Sequence, residues 1–329
     1  MPQIDYLILT AANRAQALGY EAQLRARERH GMFGTVARWK VIPDPGGRRS
    51  GSGGSTLWTL FELGRALLGE TSRPRSIRGL FEGKRIIVIH SGGDSRRLCA
   101  YAAQGKTFVP LPSSTGDGYP ATLFDLVAAS LADLPVPAGG QVLIAAGDLL
   151  LTFNRDDVDF NRPGVVGVAY PGPLERGSRH GVYVADRDGS VRDFLQKPDE
   201  QTARKYGAVD AVGRVLVDTG LVSLDPSTVE RFLTAAGVRL RGRQLAVGAG
   251  LLRDIVRGRC PAIDLYEQVL MAMAPGRDLR SYLDAVDADC GERPGGGAHR
   301  KRLSHLYRAL HGCPFHVNIL AYCDFFHVG

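Results

Sequence analysis

The densest chemistry in the sequence lies between Ile86 and Pro112. The apolar run Ile86-Ile87-Val88-Ile89-His90 leads into Ser91-Gly92-Gly93-Asp94-Ser95-Arg96-Arg97, and Gly105-Lys106 follows. Small residues after a buried strand let backbone N–H groups approach a phosphate closely. Arg96 and Lys106 add cations able to balance a triphosphate. A tight turn needing positive φ would also use Gly92 and Gly93. That alternative does not account for an Arg and a Lys ten residues apart in a chain with only six lysines. A second glycine-rich element, Gly51-Ser52-Gly53-Gly54-Ser55-Thr56, immediately precedes a predicted helix. Its N–H groups and the positive helix end could face a phosphate or a base. The plainer alternative is a flexible loop in which Gly54 and Ser55 cap the helix.

Further along, Gln141–Leu151 reads as a buried strand carrying Gly147-Asp148 at its end. A carboxylate there can hold a hard cation that bridges phosphates, although a turn aspartate is the commoner fate of Gly-Asp. Gly181–Asp186 and Val191–Gln196 pair as a hairpin that delivers Lys197-Pro198, a lysine that would otherwise be solvated surface. Asp218, in Val-Asp-Thr-Gly, suits either sugar hydroxyls or a strand-end turn. The basic run His299–Arg302 reads as a helix surface with little to recommend nucleic acid.

The elements that must position these residues follow from periodicity. Strands are predicted at Tyr6–Thr10, Ile86–His90, Val142–Ala146, Val165–Tyr170, Val182–Asp186 and Val215–Asp218, and helices at Ala15–Arg29, Ser55–Leu68, Ala121–Leu131, Ser227–Ala236 and Leu265–Met273. Pro120 suits a helix N1 position, and Asp225-Pro226-Ser227 is another helix start. Alternation of this kind predicts an α/β fold with a mostly parallel sheet, helices on both faces and ligands at the carboxyl ends of the strands. Pro43–Gly54 and Gly291–Gly297 are predicted loops. Phe315–Gly329 reads as a strand passing into something else, and the stop at Phe-Phe-His-Val-Gly predicts a chain cut from a longer one.

A chain of 329 residues with 44% hydrophobic and 23% charged residues excludes global disorder. No run approaches the roughly 20 apolar residues of a membrane span, and the start lacks the pattern of a signal peptide. Five scattered cysteines suggest neither a disulfide framework nor a zinc pair, which favours a reducing, cytoplasmic setting. The net charge of +7, with 35 arginines, suits polyanionic ligands. A dinucleotide-binding dehydrogenase is disfavoured, because no G-x-G-x-x-G is followed by an acid about 20 positions later.

The run Ser91-Gly92-Gly93-Asp94-Ser95-Arg96-Arg97, with Gly105-Lys106, Phe108 and Pro110-Leu111-Pro112, resembles the GDP-fucose pyrophosphorylase (fucose-1-phosphate guanylyltransferase) family. The likeness extends to Asp5–Ala12, Asp44-Pro45-Gly46-Gly47, Gly51–Leu57, Phe194-Leu195-Gln196-Lys197-Pro198 and Val217-Asp218-Thr219-Gly220, nearly the whole chain. More distantly the chain is similar to the sugar nucleotidyltransferase superfamily. The resemblance implies a Rossmann-like nucleotidyltransferase fold over residues 1–314, with 315–329 beginning a truncated left-handed β-helix or C-terminal segment.

It also implies GTP and L-fucose 1-phosphate as substrates, Mg²⁺ as cofactor, and a C-terminal kinase domain in a bifunctional parent. Nucleotide binding falls to Gly51, Gly53, Gly54, Ser55, Ser91, Gly92, Gly93, Asp94, Ser95 and Arg96. The metal falls to Asp148, and catalysis to Arg96, Lys106 and Lys197. Gly181, Lys197 and Asp218 are left for the sugar phosphate. Asp94 and Ser95 depart from the superfamily's Gly-Thr, and Gln196 replaces an acid. His327 stands where many members carry a second metal-binding acid. Asp94 and Gln196 support a competing reading, a catalytically idle sugar-nucleotide-binding or regulatory domain, against which the retained Arg96, Lys106, Asp148 and Lys197 count. No kinase loop follows residue 120, so the chain itself is not expected to phosphorylate fucose.

Overall fold

The computed structural model describes residues 3–71, 74–91, 101, 105–115, 118–289 and 297–327. Among them nine strands form one central sheet: β1 (Tyr6–Ala11), β2 (Trp39–Pro43), β3 (Arg85–His90), β4 (Gln141–Ala146), β5 (Val165–Pro173), β6 (Gly181–Ala185), β7 (Val191–Gln196), β8 (Arg214–Leu224) and β9 (Phe315–Ile319). The main path runs β7-β6-β8-β4-β3-β1-β2, and β5 pairs with β8 and β9. The longer helices are α1 (Arg14–Arg29), α2 (Gly51–Glu70), α3 (Leu123–Ala132), α4 (Pro226–Ala235), α5 (Leu279–Asp289) and α6 (Gly297–Leu310).

Strands β2, β1, β3 and β4 are parallel, because each connection between them carries a helix that crosses back over the sheet. In the other half, β6 and β7 form the expected hairpin across a tight turn, β9 runs parallel to β5, and β8 runs antiparallel to β4, β5 and β6. Helices do cover both faces. Ile86 and Val88 of β3 point into one core with α2, α4 and α6, whereas Ile87 and Ile89 point into a second with α1 and α3.

Strand β8 loses its register with β5 between Asp218 and Val222, a bulge that sets Gly220 against Ala146 and Leu149 at the end of β4 while the Thr219 hydroxyl donates to the Val168 carbonyl of β5. Helix α2 begins at Gly51, four residues before the predicted start, so the last four residues of the expected Pro43–Gly54 loop are helix, Pro43 ends β2 and Pro45–Gly47 is a 3₁₀ turn. Pro120 lies in a short strand, Pro120–Thr122, and Thr122 caps α3 through a capping box with Asp125. Leu265–Leu270 forms a π-helical turn, followed by a 3₁₀ turn at Met271–Met273. The basic run lies on α6 as expected, with Lys301 exposed, while His299 is buried and Arg302 pairs with Asp254. Asp324–His327 pairs antiparallel with Leu149–Thr152, which carries the C-terminal residues back to Asp148. Among the described residues no helix is long and apolar enough to cross a membrane.

Candidate functional site

The carboxyl ends of β1, β3 and β4 deliver Thr10, His90 and Ala146 to one edge of the sheet. Asp148 follows β4 directly and keeps 34% of its side chain exposed. Its Oδ2 lies 3.8 Å from Lys106 Nζ and 3.5 Å from His327 Nε2. Lys106 opens a short 3₁₀ turn, Lys106–Phe108, whose Thr107 hydroxyl donates to the Gly147 carbonyl at 3.2 Å. Gly105 precedes it at φ 71°, and a Cβ there would lie 2.0 Å from the Tyr20 hydroxyl. That approach needs glycine on both counts.

Behind this turn Arg27 is wholly buried. Its Nε and Nη2 donate to Asp125 at 2.6 and 2.9 Å, and Nη2 also donates to Thr122 Oγ1 at 2.9 Å. Its guanidinium lies over the rings of Phe108, Tyr119 and Phe124 at 5.1, 5.5 and 5.5 Å. The clamp ties α1 to α3 and to the turn that carries Lys106.

A second group converges from the β6–β7 hairpin. The Lys197 amide donates to the His180 carbonyl at 2.9 Å, and Lys197 adopts φ 45°. A left-handed lysine immediately before Pro198 costs free energy, since only Gly takes that region readily. The His180 ring lies 6.1 Å from that of His327 and packs edge-on against Phe325. Burial pushes the His180 pKa down, and the cationic neighbours His327, Arg176, Lys197 and Arg179 push it further. Asp148, Lys106, His327, His180 and Lys197 therefore gather in one neighbourhood, four of them basic side chains beside one carboxylate.

Other expected residues serve the frame. The amides of Gly53 and Gly54 both donate to the Ile263 carbonyl, at 2.8 and 3.1 Å, so neither is free for a phosphate. A Cβ at Gly51 would sit 2.3 Å from the same oxygen. The glycines let the chain at 263–265 pack on the start of α2. Ser55 is buried and bonded to Asp44. Gly181 is buried with no room for a Cβ, which would meet Phe194 at 2.2 Å.

Asp218 is only 7% exposed, beneath the site rather than on it. Burial pushes its carboxyl up to about 7 against an opposing bond from the Gly220 amide. Its Oδ1 has no hydrogen-bond partner, and the Tyr183 hydroxyl lies beside it. Ser91 is fixed at the end of β3, whereas Gly92, Gly93, Asp94, Ser95 and Arg96 lie outside the described residues.

Sequence reasoning missed His180, Tyr266, Asp264 and His90. Burial, and then Asp218, Asp264 and Asp148, push the Tyr266 phenol well up, which places its ring among three acids. No group of three or more histidine, cysteine, aspartate or glutamate side chains among the described residues could hold a metal unaided. A carboxylate one-third exposed at a strand end, beside a histidine and lysine, instead fits a hard cation that arrives on phosphate oxygens and keeps much of its water.

A family model described as the fucose pyrophosphorylase domain matches residues 79–329. The chain belongs to the fucose pyrophosphorylase domain family. A bifunctional fucokinase/GDP-fucose pyrophosphorylase of Arabidopsis thaliana is 31% identical over 304 residues, which cover 84% of this chain and 28% of that protein. Fucose-1-phosphate guanylyltransferases of Mus musculus and Homo sapiens are each 28% identical over 99% of this chain, covering 55% and 53% of theirs. This fucose pyrophosphorylase domain thus spans about half the length, or less, of the curated relatives it matches.

Proposed function

We propose that this domain joins GTP and L-fucose 1-phosphate to give GDP-fucose and pyrophosphate, on a nucleotidyltransferase fold that continues into a β-helix. The observation that carries the reading is the convergence of Lys106, Asp148, His180, Lys197 and His327 at the carboxyl edge of the parallel strands. A phosphate oxygen of the sugar 1-phosphate attacks the α-phosphorus in line. That P–O bond forms as the bond to the β-phosphate oxygen breaks, and pyrophosphate leaves with its electron pair. No covalent enzyme intermediate is required.

Lys106 would face the triphosphate, together with Arg96, and Lys197 the sugar phosphate. Their work is positioning and charge neutralisation. Asp148 would hold Mg²⁺, which supplies further neutralisation across phosphate oxygens. The names of the Arabidopsis relative and of a Bacteroides fragilis one include fucokinase. A kinase that supplies the sugar 1-phosphate is the partner that goes with this reading, in a cytoplasmic setting.

The test is pyrophosphate release from each nucleoside triphosphate with Mg²⁺ and a panel of sugar 1-phosphates. GTP with fucose 1-phosphate is expected to be the most rapidly used pair. Tight GDP-fucose binding without any turnover would favour the idle domain instead.

The two lysines separate the substrates. Lys106→Ala is expected to impair chiefly nucleotide use and Lys197→Ala chiefly sugar-phosphate use, each by about 2–4 kcal/mol of transition-state stabilisation in kcat/KM. Lys205, exposed over the Tyr206 ring, is the control whose removal should change little. Near-wild-type kinetics in both motif variants would remove the assignment.

A further inference from the structure

Away from Asp148, the short helix Leu251–Val256, the turn after it and α6 enclose a cleft of about 570 Å³. Its charged lining is Arg253, Asp254, Arg259, Lys301, Arg302 and His305, and the rest is mostly alanine and glycine. None of these residues belongs to the neighbourhood of Asp148. Asp254 is buried and holds two guanidiniums. Arg259 Nη2 donates to its Oδ1 at 2.7 Å, and Arg302 Nε donates to its Oδ2. Arg302 Nη1 also donates to the Ala298 carbonyl at 2.8 Å, and the Arg259 amide donates to the Asp254 carbonyl at 2.8 Å. Both arginines are thus held in place while their side chains stay 49% and 28% exposed, Arg259 the more so.

The charges in this cleft do not balance. Burial pushes the Asp254 carboxyl up, but the bonds and charges of Arg302 and Arg259 outweigh it and hold the group below the usual carboxylate range, so it is ionised at neutral pH. Four permanent cations, Arg253, Arg259, Lys301 and Arg302, then line the cleft with a single acid, an excess of three before His305 is counted. Arg253 adds an unmet donor, since its Nε is buried and has no hydrogen-bond partner among the described residues. A structural ion pair would need one arginine on Asp254, not two with Arg253 and Lys301 beside them. Walls of one sign concentrate anions of the other.

Guanidinium forks match phosphate oxygens in shape as well as charge. A phosphomonoester carries about −1.5 to −2 at neutral pH, so one alone leaves the excess unmet, whereas two linked phosphoryl groups meet it. We propose that this cleft binds a small molecule bearing a diphosphate group, at a site separate from the one around Asp148. The proposal rests on the residues of the cleft and not on the nucleotidyltransferase reading. Inorganic pyrophosphate and the diphosphate of a nucleotide share the chemistry that the cleft selects.

The test is calorimetric titration, without Mg²⁺, of pyrophosphate, ADP, inorganic phosphate and citrate into the unmodified protein, Lys106→Ala, Lys301→Glu and Arg253→Gln. The two cleft variants leave both Asp254 pairs intact, and a thermal melt of each shows that it is folded. Pyrophosphate or ADP is expected to bind Lys106→Ala as it binds the unmodified protein. Its affinity should fall about tenfold in Arg253→Gln, the scale of one lost charge-assisted hydrogen bond, and further in Lys301→Glu, where a cation becomes an anion. Inorganic phosphate should bind at least about tenfold more weakly than pyrophosphate.

Tighter binding of ADP than of pyrophosphate supports the proposal with an organic diphosphate as the ligand, and the reverse order supports it with the inorganic ion. Citrate, an anion of similar charge without phosphorus, overturns it by binding as well as either. Affinity unchanged in both cleft variants, affinity lost in Lys106→Ala, or no binding at millimolar concentration overturns it too. Should Arg253→Gln fail to fold, Lys301→Glu, a change at an exposed position, carries the same expectation.

Discussion

Replacing Asp148 by Asn is expected to leave the protein folded and to depress turnover by about 10³-fold or more. The side chain is one-third exposed and borders Lys106 and His327 without closing a buried pair, so an amide of the same shape has little to disturb in the core. The proposed reaction would bring a triphosphate and a phosphomonoester into contact. Lys106, Lys197 and Arg96 cannot offset so much negative charge alone. A hard cation with one or two protein carboxylates and water is the usual remedy, and Asp148 is the acid that β4 delivers to this edge.

The measurement is pyrophosphate release across a Mg²⁺ titration, with a thermal melt of the same sample. A lowered rate with an unmoved melting curve is the expected pair of results. Wild-type turnover by the Asn variant at equal Mg²⁺ would move the cation elsewhere, with Asp94, outside the described residues, the next candidate.

Much of the frame that carries Asp148 is legible in sequence, because buried strands such as Ile86–His90 leave apolar runs and each helix between parallel strands leaves its own period. What failed has particular causes. The glycines at 51, 53 and 54 disfavour a helix by propensity, yet the helix starts there, and at Gly51 and Gly53 residues 263–265 lie too close for any side chain. That contact spans more than 200 residues of sequence.

The hairpin of β6 and β7 was legible from the two short runs around Gly189, whereas the direction of β8 was not, because a strand covered on both faces loses the alternation that marks an antiparallel partner. Asp218 read as either a sugar ligand or a strand-end turn, but it lies within β8, buried beside Tyr183 and Tyr266. His180 stands one residue before Gly181 and carried no local mark. Its meaning comes from Phe325 and His327, brought in by the pairing of Asp324–His327 with Leu149–Thr152.

Arg27 was equally silent in sequence, one arginine among 35, and its removal is expected to be the costliest change to stability considered. Arg27→Met should destabilise the protein by about 3–5 kcal/mol, because it leaves the Asp125 charge, 7% exposed, without its cation. Asp125 would keep the amide and hydroxyl of Thr122 as partners, at 2.7 and 2.8 Å, which offset only part of the loss. The cation–π contacts with Phe108, Tyr119 and Phe124 disappear with the guanidinium.

If the cost is that of an uncompensated charge, a second change that neutralises it must restore stability. Asp125→Asn preserves the cap acceptor of α3, so Arg27→Met/Asp125→Asn should recover roughly half of the lost free energy or more. Urea unfolding of the two single variants and the double one measures both quantities. The function should follow, because Phe108 donates its amide to the Gly105 carbonyl in the turn that aims Lys106 at Asp148. Surviving Arg27→Met protein is therefore expected to show a raised nucleotide KM before any change in its sugar-phosphate KM. An Arg27→Met protein within about 1 kcal/mol of wild type would mean that water or rearranged neighbours can replace the buried cation, and the clamp would then have no part in holding Lys106.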